Sequence, residues 1–406
     1  MHSSFFNSLS ILFLIANCVV QSQNIKTIQL KPLGTKNFSA IVPLGSVLEL
    51  SFDDLEADQK TYFYKIEQFS FDWKPSSLLS SEYIDGFDQN SIQEVENSFN
   101  TLQSYTHYNV QIPNATTNIT KSGNYQISVL DEDDTVVFTR RFTLYESIAT
   151  VGVSVLRSRN TKTSNQQQTV QFIVNHNALN INNPSQEIKV AVLQNNNWET
   201  AITDLKPQFY RQKQLEYKYV KKSNFWGGNE FLNFDTKALR TPNLKTARII
   251  QKDIYHHYLY PQEVRAKKSY TYNPDINGQF VIRTLEGDNP DTEADYVSLH
   301  FALEAAKINH KKVYVYGAFN NYDISETNQM TYDEVAGMYT ATILLKQGFY
   351  NYSFVTKNND AVLDLHEISG THYQTENEYR VLVYYKPFGI YYDRVIGIGT
   401  GYFNQR

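Results

Sequence analysis

The chain has 406 residues, a formal net charge of −5 and a single cysteine. That length holds two or three domains with their own cores. The mild charge, without a basic block, argues against nucleic acid as a partner, and one cysteine excludes a disulfide framework.

The first residues read as a secretory signal, with an apolar run from Ile11 to Val20 broken only by Asn17, and the small residue Ser22 at its end. The run is shorter than the roughly 20 apolar residues a spanning helix needs, so residues 1–22 are expected to be a signal peptide. No Lys or Arg precedes it. Cys18 lies inside this segment behind Asn17, where a lipoprotein signal has a small residue, so lipidation is not the favoured fate. The mature chain then offers no thiolate for catalysis or metal binding.

Three blocks follow: 23–147, 148–273 and 274–406. In the first, Ser46 to Phe52, Tyr62 to Glu67, Tyr105 to Val110 and Gly123 to Leu130 alternate apolar and polar residues, the period of half-buried strands. Asp131 to Asp134 reads as the turn of a hairpin spanning Leu130 to Phe142. In the second block, strands are expected at Ala149 to Val155, Thr169 to Val174 and Glu187 to Leu193. A polar patch from Ser158 to Gln168 reads as a loop and Asn195 to Asn197 as a turn. The glycines of Trp226-Gly-Gly228 imply positive φ or close backbone approach, with Trp226 packed nearby.

In the third block Tyr296 to Leu303 and Lys312 to Tyr316 are strands, and Met338 to Leu345 with Tyr350 to Val355 read as a hairpin around Lys346 to Phe349. Ala302 to Lys307 has the composition for a helical turn or two. Tandem β-sandwiches of immunoglobulin-like or early-set type are the expected all-β fold. The runs are too short and irregular for a transmembrane barrel.

Aromatics make up 14% of residues, with 30 Tyr and 24 Phe, which suits strand packing and contact surfaces that are wet before a partner arrives. Chemistry finds little support. His256 and His257 are adjacent, so on a strand they face opposite ways and cannot jointly hold a metal. Asp364, His366, Glu367 and His372 lack a convincing third ligand, and loop hydrogen bonding is the better reading. No Gly-x-Ser-x-Gly elbow or phosphate loop occurs, and the paired carboxylates sit in turns. Asn-x-Ser/Thr sequons stand at Asn37, Asn114, Asn118 and Asn351. Asp393 and Arg394, as strand neighbours, are expected to reach different partners.

Three runs carry a resemblance: Phe225-Trp-Gly-Gly-Asn-Glu-Phe-Leu-Asn-Phe-Asp235, Gly370-Thr-His-Tyr-Gln-Thr-Glu-Asn-Glu-Tyr379 and Tyr391-Tyr-Asp-Arg-Val-Ile-Gly397. In this order they resemble the plug-protein family of the bacterial type IX secretion system, long catalogued as a domain of unknown function of Bacteroidota. The resemblance implies a periplasmic, non-enzymatic protein peripheral to the outer membrane, with no cofactor, metal or small-molecule substrate. Its implied partner is the large translocon barrel, whose periplasmic end it occludes. The polar and aromatic members of the runs, Trp226, Asn229, Glu230, His372, Tyr373, Glu376 and Arg394, are the candidate partner-binding residues. The run Val313 to Tyr322 is similar to the early-set sandwich that accompanies starch- and glycogen-active proteins, with Tyr322 where a tryptophan is common. Periplasmic or surface glycan binding is therefore the alternative, and a role as an esterase or glycosidase accessory is a third reading.

Overall fold

The computed structural model describes residues 24–35, 37–360 and 362–403. The segment 1–22 expected to be a signal peptide, with Cys18, and residues 404–406 lie outside the described residues. With 49% strand and 5% helix, the chain is all-β. It divides into two compact units: the described parts of Met1–Phe99, Ser104–Glu146 and Tyr384–Ile396 form one, and those of Asn100–Gln103, Ser147–Val383 and Gly397–Arg406 the other.

The first unit holds two sheets. One orders Ile25–Pro32, Leu48–Asp54, Thr106–Ile112 and Glu94–Asn97; the other orders Ile41–Pro43, Val136–Tyr145, Gly123–Leu130, Phe63–Phe69 and Gln89–Ser91. Strand alternation sends Leu50, Phe52 and Tyr108 from one sheet and Tyr64, Ile66, Tyr125, Ile127 and Val129 from the other into a single core. Each such ring or branched chain contributes about 1.5–3 kcal/mol by leaving water. The expected hairpin forms between Gly123–Leu130 and Val136–Tyr145. Its turn is closed by Asp131, whose Oδ1 accepts the N–H groups of Asp133 (3.0 Å) and Thr135 (2.8 Å).

Much of the tyrosine excess lies in these interiors, because a tyrosine hydroxyl that reaches an acceptor lets the whole ring be buried. Tyr62 donates to Asp54 Oδ2 (2.9 Å), and Tyr125 to the Lys121 carbonyl (2.7 Å). In the second unit Tyr350 donates to the Lys346 carbonyl (2.6 Å).

The second unit contains a sheet ordered Thr150–Arg157, Gln167–Asn175, Gln214–Tyr217 and Phe209–Arg211, with Asn224–Trp226 also paired to Gln167–Asn175. It also holds Asn197–Ile202 and Ile188–Gln194, followed in their sheet by the 377–383 part of Asn377–Tyr385 and the 397–403 part of Arg394–Phe403. A third, eleven-stranded sheet runs from Leu232–Asp235 through Gly348–Asn358 and Lys311–Tyr316 to Tyr296–Glu304, Tyr255–Leu259 and Thr246–Gln251. It curls around one core in which Leu299, Phe301 and Leu303 meet Val313, Val315, Tyr350 and Phe354.

Two local expectations fail. Met338–Lys346 and Gly348–Asn358 do not pair as a hairpin: the former pairs with Tyr296–Glu304 and the latter with Lys311–Tyr316. The chain turns a buried corner at Gln347, whose Nε2 donates to the Lys237 carbonyl (3.1 Å) and Glu286 Oε2 (3.0 Å). At Gly348 a Cβ would fall 2.4 Å from the Val281 carbonyl oxygen. The stretch from Ala302 to Lys307 is strand as far as Glu304 rather than helix, because its first residues continue the alternating burial of Tyr296–Glu304.

The last strand carries Gly397, Gly399 and Gly401 on one face, laid against Thr150–Arg157. An added Cβ would stand 2.5 Å from the Ala149 carbonyl oxygen at Gly397 and 2.6 Å from that of Val151 at Gly399. Gly152 by contrast meets nothing within 4 Å. Gly399→Val is therefore expected to lower the unfolding free energy by about 1–3 kcal/mol through overpacking, and Gly152→Val to leave it within about 0.5 kcal/mol. Urea midpoints measured on the two variants check this.

Candidate functional site

Two of the three signature runs meet in the second unit. Asn224–Trp226 pairs with the start of Gln167–Asn175, placing Trp226 opposite Gln167. The chain then turns over two glycines needed for different reasons. Gly227 lies so close to the 370s segment that a Cβ would be 2.0 Å from the His372 carbonyl oxygen. Gly228 has φ of +66°, a conformation that favours glycine.

The closeness is made of hydrogen bonds. Gly228 N–H donates to Thr371 Oγ1 (3.0 Å), and its carbonyl accepts His372 N–H and the Thr375 hydroxyl, each at 2.8 Å. Asn229 Nδ2 donates to the Ser369 carbonyl (2.8 Å). Beneath lies Gln168, fully buried. Its Nε2 donates to the carbonyls of Tyr373 (2.7 Å) and Thr375 (2.8 Å), and its Oε1 accepts from the Tyr379 hydroxyl (2.6 Å) and Asn377 Nδ2 (3.2 Å). Both donors and both lone pairs of this amide are thus used. Asn377 also donates to the Gly227 carbonyl (2.8 Å) and accepts from Asn195 Nδ2 (2.7 Å). Gln194 Nε2 bridges the Trp226 carbonyl (2.9 Å) and the Tyr379 hydroxyl (3.0 Å).

An acidic knot adjoins this network. Glu230 is buried, and its Oε1 accepts from the Tyr270 hydroxyl (2.5 Å) and Glu376 N–H (3.1 Å). Arg265 Nη1 donates to the Glu230 carbonyl (2.9 Å). Asp275 accepts N–H groups from Phe231 (2.5 Å) and Asn277 (2.7 Å). Burial pushes the Glu230 carboxyl up, and it pushes Asp275 up to about 7 against the pull of its backbone donors. Burial, with the Arg265 charge beside it, holds His372 below the usual imidazole range.

Above the network, Trp226, Asn229, His366, Asn377, Tyr316 and Tyr322 line a void of about 80 Å³. That volume takes a few waters or one side chain and falls below the roughly 300 Å³ at which small-molecule sites begin. The Ser369 hydroxyl in its wall is committed to the Phe354 carbonyl (3.1 Å). Trp226, expected in a packed position, is 42% exposed at the rim, its ring 5.8 Å from that of His366. Tyr322, half-buried, packs on Tyr316 with ring centroids 5.1 Å apart.

Trp226, Asn229, Glu230, His372, Tyr373 and Glu376 are therefore brought together. Arg157 stacks on the Tyr373 ring at 4.2 Å. Arg394 belongs to the first unit, where its guanidinium forks onto Glu146 at 2.8 and 3.3 Å. Burial works against the Glu146 charge, but Arg394 and the Ser122 hydroxyl hold its carboxyl below the ordinary range. Asp393 accepts the Phe71 N–H instead (2.9 Å), so the neighbours do reach different partners. His257 turns inward to the Leu239 carbonyl (3.1 Å) while His256 faces out, and Asp364 accepts the N–H groups of His366 and Glu367 as a loop cap. Sequence reasoning missed Gln168, Gln194, Arg265, Asp275 and Asn377. Only Asn377 stood inside a signature run.

Residues 25–146 match the family model of the type 9 secretion system plug protein first domain. The fold is similar to the crystal structure of a hypothetical protein from Parabacteroides merdae, with a TM-score of 0.90 and 33% identity over 94% of this chain and 97% of that one. A biofilm-associated protein domain aligns at 10% identity over 94% of this chain and 59% of its own, with a TM-score of 0.20. No curated protein matches the chain.

The acidic knot has a pH signature. Because the folded Asp275 carboxyl titrates near 7 and the free one near 3.8, the folded state holds a proton that the unfolded state has released between those values. The group's contribution to stability therefore falls as pH climbs from about 4 to 7 and levels off above. In Asp275→Asn that fall is removed, by up to about 1.4 kcal/mol per pH unit relative to the parent. Urea unfolding of both proteins from pH 5 to 8 measures the difference, and parallel curves contradict the assignment.

Proposed function

We infer the role from the family: the chain belongs to the type 9 secretion system plug proteins, so it works at the cell envelope in type IX secretion. That family is a secretion-system plug and not a known enzyme family. No described helix is long and apolar enough to cross a membrane.

We propose that the protein is periplasmic, peripheral to the outer membrane, and closes the periplasmic end of the translocon barrel by filling it. The match of residues 25–146 to the plug first domain carries this reading. The rest of the site is compatible with it. An occluding body needs rigid segments whose polar groups are satisfied internally, and Gln168 and its partners supply that in the second unit. An interface also needs a few large anchors rather than a broad apolar face. Trp226 is such an anchor: half-exposed, fixed at its backbone by Gln194, and beside a void that takes a partner side chain. Asn229, His372, Tyr373 and Glu376 would form the polar rim. Arg394 would serve the first unit's contacts through its bond with Glu146.

Tagged protein purified from gently solubilised outer membranes is expected to bring the large barrel with it. Trp226→Ala is expected to lower recovery at least tenfold, in keeping with the roughly 2 kcal/mol of an interface hot spot. Val335→Ala, at a fully exposed turn, leaves it unchanged. Purification without the barrel contradicts plugging; undiminished recovery by Trp226→Ala contradicts the anchor alone.

A further inference from the structure

Four neighbouring strands of the large sheet, Thr246–Gln251, Tyr255–Leu259, Tyr296–Glu304 and Met338–Lys346, bring Arg248, Tyr258, His300 and Thr342 into register. The Arg248 guanidinium sits 4.2 Å over the Tyr258 ring. The His300 ring lies 4.0 Å from that of Tyr258, at 3°. Thr342 Oγ1 is 2.9 Å from His300 Nδ1. Two residues before Tyr258, and so on the same face, His256 places its Nδ1 2.9 Å from His300 Nε2. Both rings are partly exposed, and Thr342 is open to solvent.

We propose that His256 and His300 form a two-imidazole site for a divalent transition-metal cation, copper(II) foremost. The donors select the class: two neutral imidazoles held within hydrogen-bond reach of one another suit copper, nickel or zinc, and copper(II) stands highest of these in affinity for nitrogen donors. The surroundings set the ligand atoms. Thr342 engages Nδ1 of His300 and leaves Nε2 directed at His256, the outer-shell restraint that metal-bound imidazoles usually have. Stacking on Tyr258 fixes the His300 plane, and a turn of the His256 ring about Cβ–Cγ moves its lone pair from facing His300 to converging with it. Without metal one of the two facing nitrogens carries the proton of the bond between them. On binding, that proton passes through water to the other nitrogen of its own ring, so that both rings stay neutral, His256 protonated at Nε2 and His300 at Nδ1, where it donates to Thr342 Oγ1. Water or a carboxylate completes the coordination. The acidic group Asp54, Glu56 and Asp58 makes a useful contrast, because the Lys60 ammonium already bridges all three carboxylates.

The test is calorimetric titration of the purified full-length chain with copper(II) and with zinc(II), paired with electron paramagnetic resonance of the copper form. One copper per chain with two coordinated nitrogens is expected, held more tightly than zinc. His256→Ala and His300→Ala should each weaken copper binding at least tenfold. Thr342→Val should weaken it several-fold while keeping both nitrogens, and circular dichroism confirms that each variant is folded. Copper held as tightly by folded His256→Ala, or a spectrum without paired nitrogens, overturns the proposal.

Discussion

The second unit depends on the seating of the Gly227–Gly228 turn against residues 369–377 over the saturated amide of Gln168. The mature chain expected from the sequence has no cysteine, so no covalent staple joins the 370s to the glycine turn or to Gln168, contacts that span from 143 to 211 positions. What joins them is a set of buried hydrogen bonds in which each group satisfies another. A neutral hydrogen bond contributes only about 1 kcal/mol net, but orphaning a buried partner costs about 1–3 kcal/mol. The network therefore resists piecemeal loss. Withdrawing Gln168 would strand the carbonyls of Tyr373 and Thr375 together and take from the Tyr379 hydroxyl its acceptor, leaving it only the bond from Gln194.

That arithmetic explains why the signature runs are built from small and amide-bearing residues. Gly227 admits the His372 carbonyl at a distance no side chain tolerates, and Asn377 reaches both Gly227 and Gln168 from one position. The aromatic surplus acts by a related principle. Buried tyrosines such as Tyr125 and Tyr350 fill the cores and return their hydroxyls to carbonyls four residues upstream, so a large apolar payload is buried without an orphaned donor. The result is a scaffold that holds Trp226 in a fixed pose at its surface.

The architecture was legible where period-two alternation was clean, as in Leu48–Asp54 and Gly123–Leu130, and where turn chemistry marked a hairpin, as at Asp131. It was illegible where the chain changes layers. Lys346 to Phe349 has the look of a hairpin turn, yet Gln347 is wholly buried and redirects the chain to a different partner strand. The two reasons for glycine at 227 and 228 were readable, but the exposure of Trp226 was not, because it depends on what fails to cover the ring. Gln168 hid at the end of a polar run that reads as loop. His300 hid by distance, since its pairing with Tyr258 comes from parallel strands that local sequence does not register.

The central claim is that the two signature runs in the second unit form one cooperative junction, and hydrogen exchange on Gly227→Ala tests it most directly. A single added methyl must push against the His372 carbonyl. The account predicts faster exchange together at the amides of Gly228, His372, Tyr373 and Glu376, with the first unit's Gly123–Leu130 strand unchanged. Acceleration confined to residues 226–228, with the 370s as protected as in the parent, would contradict it.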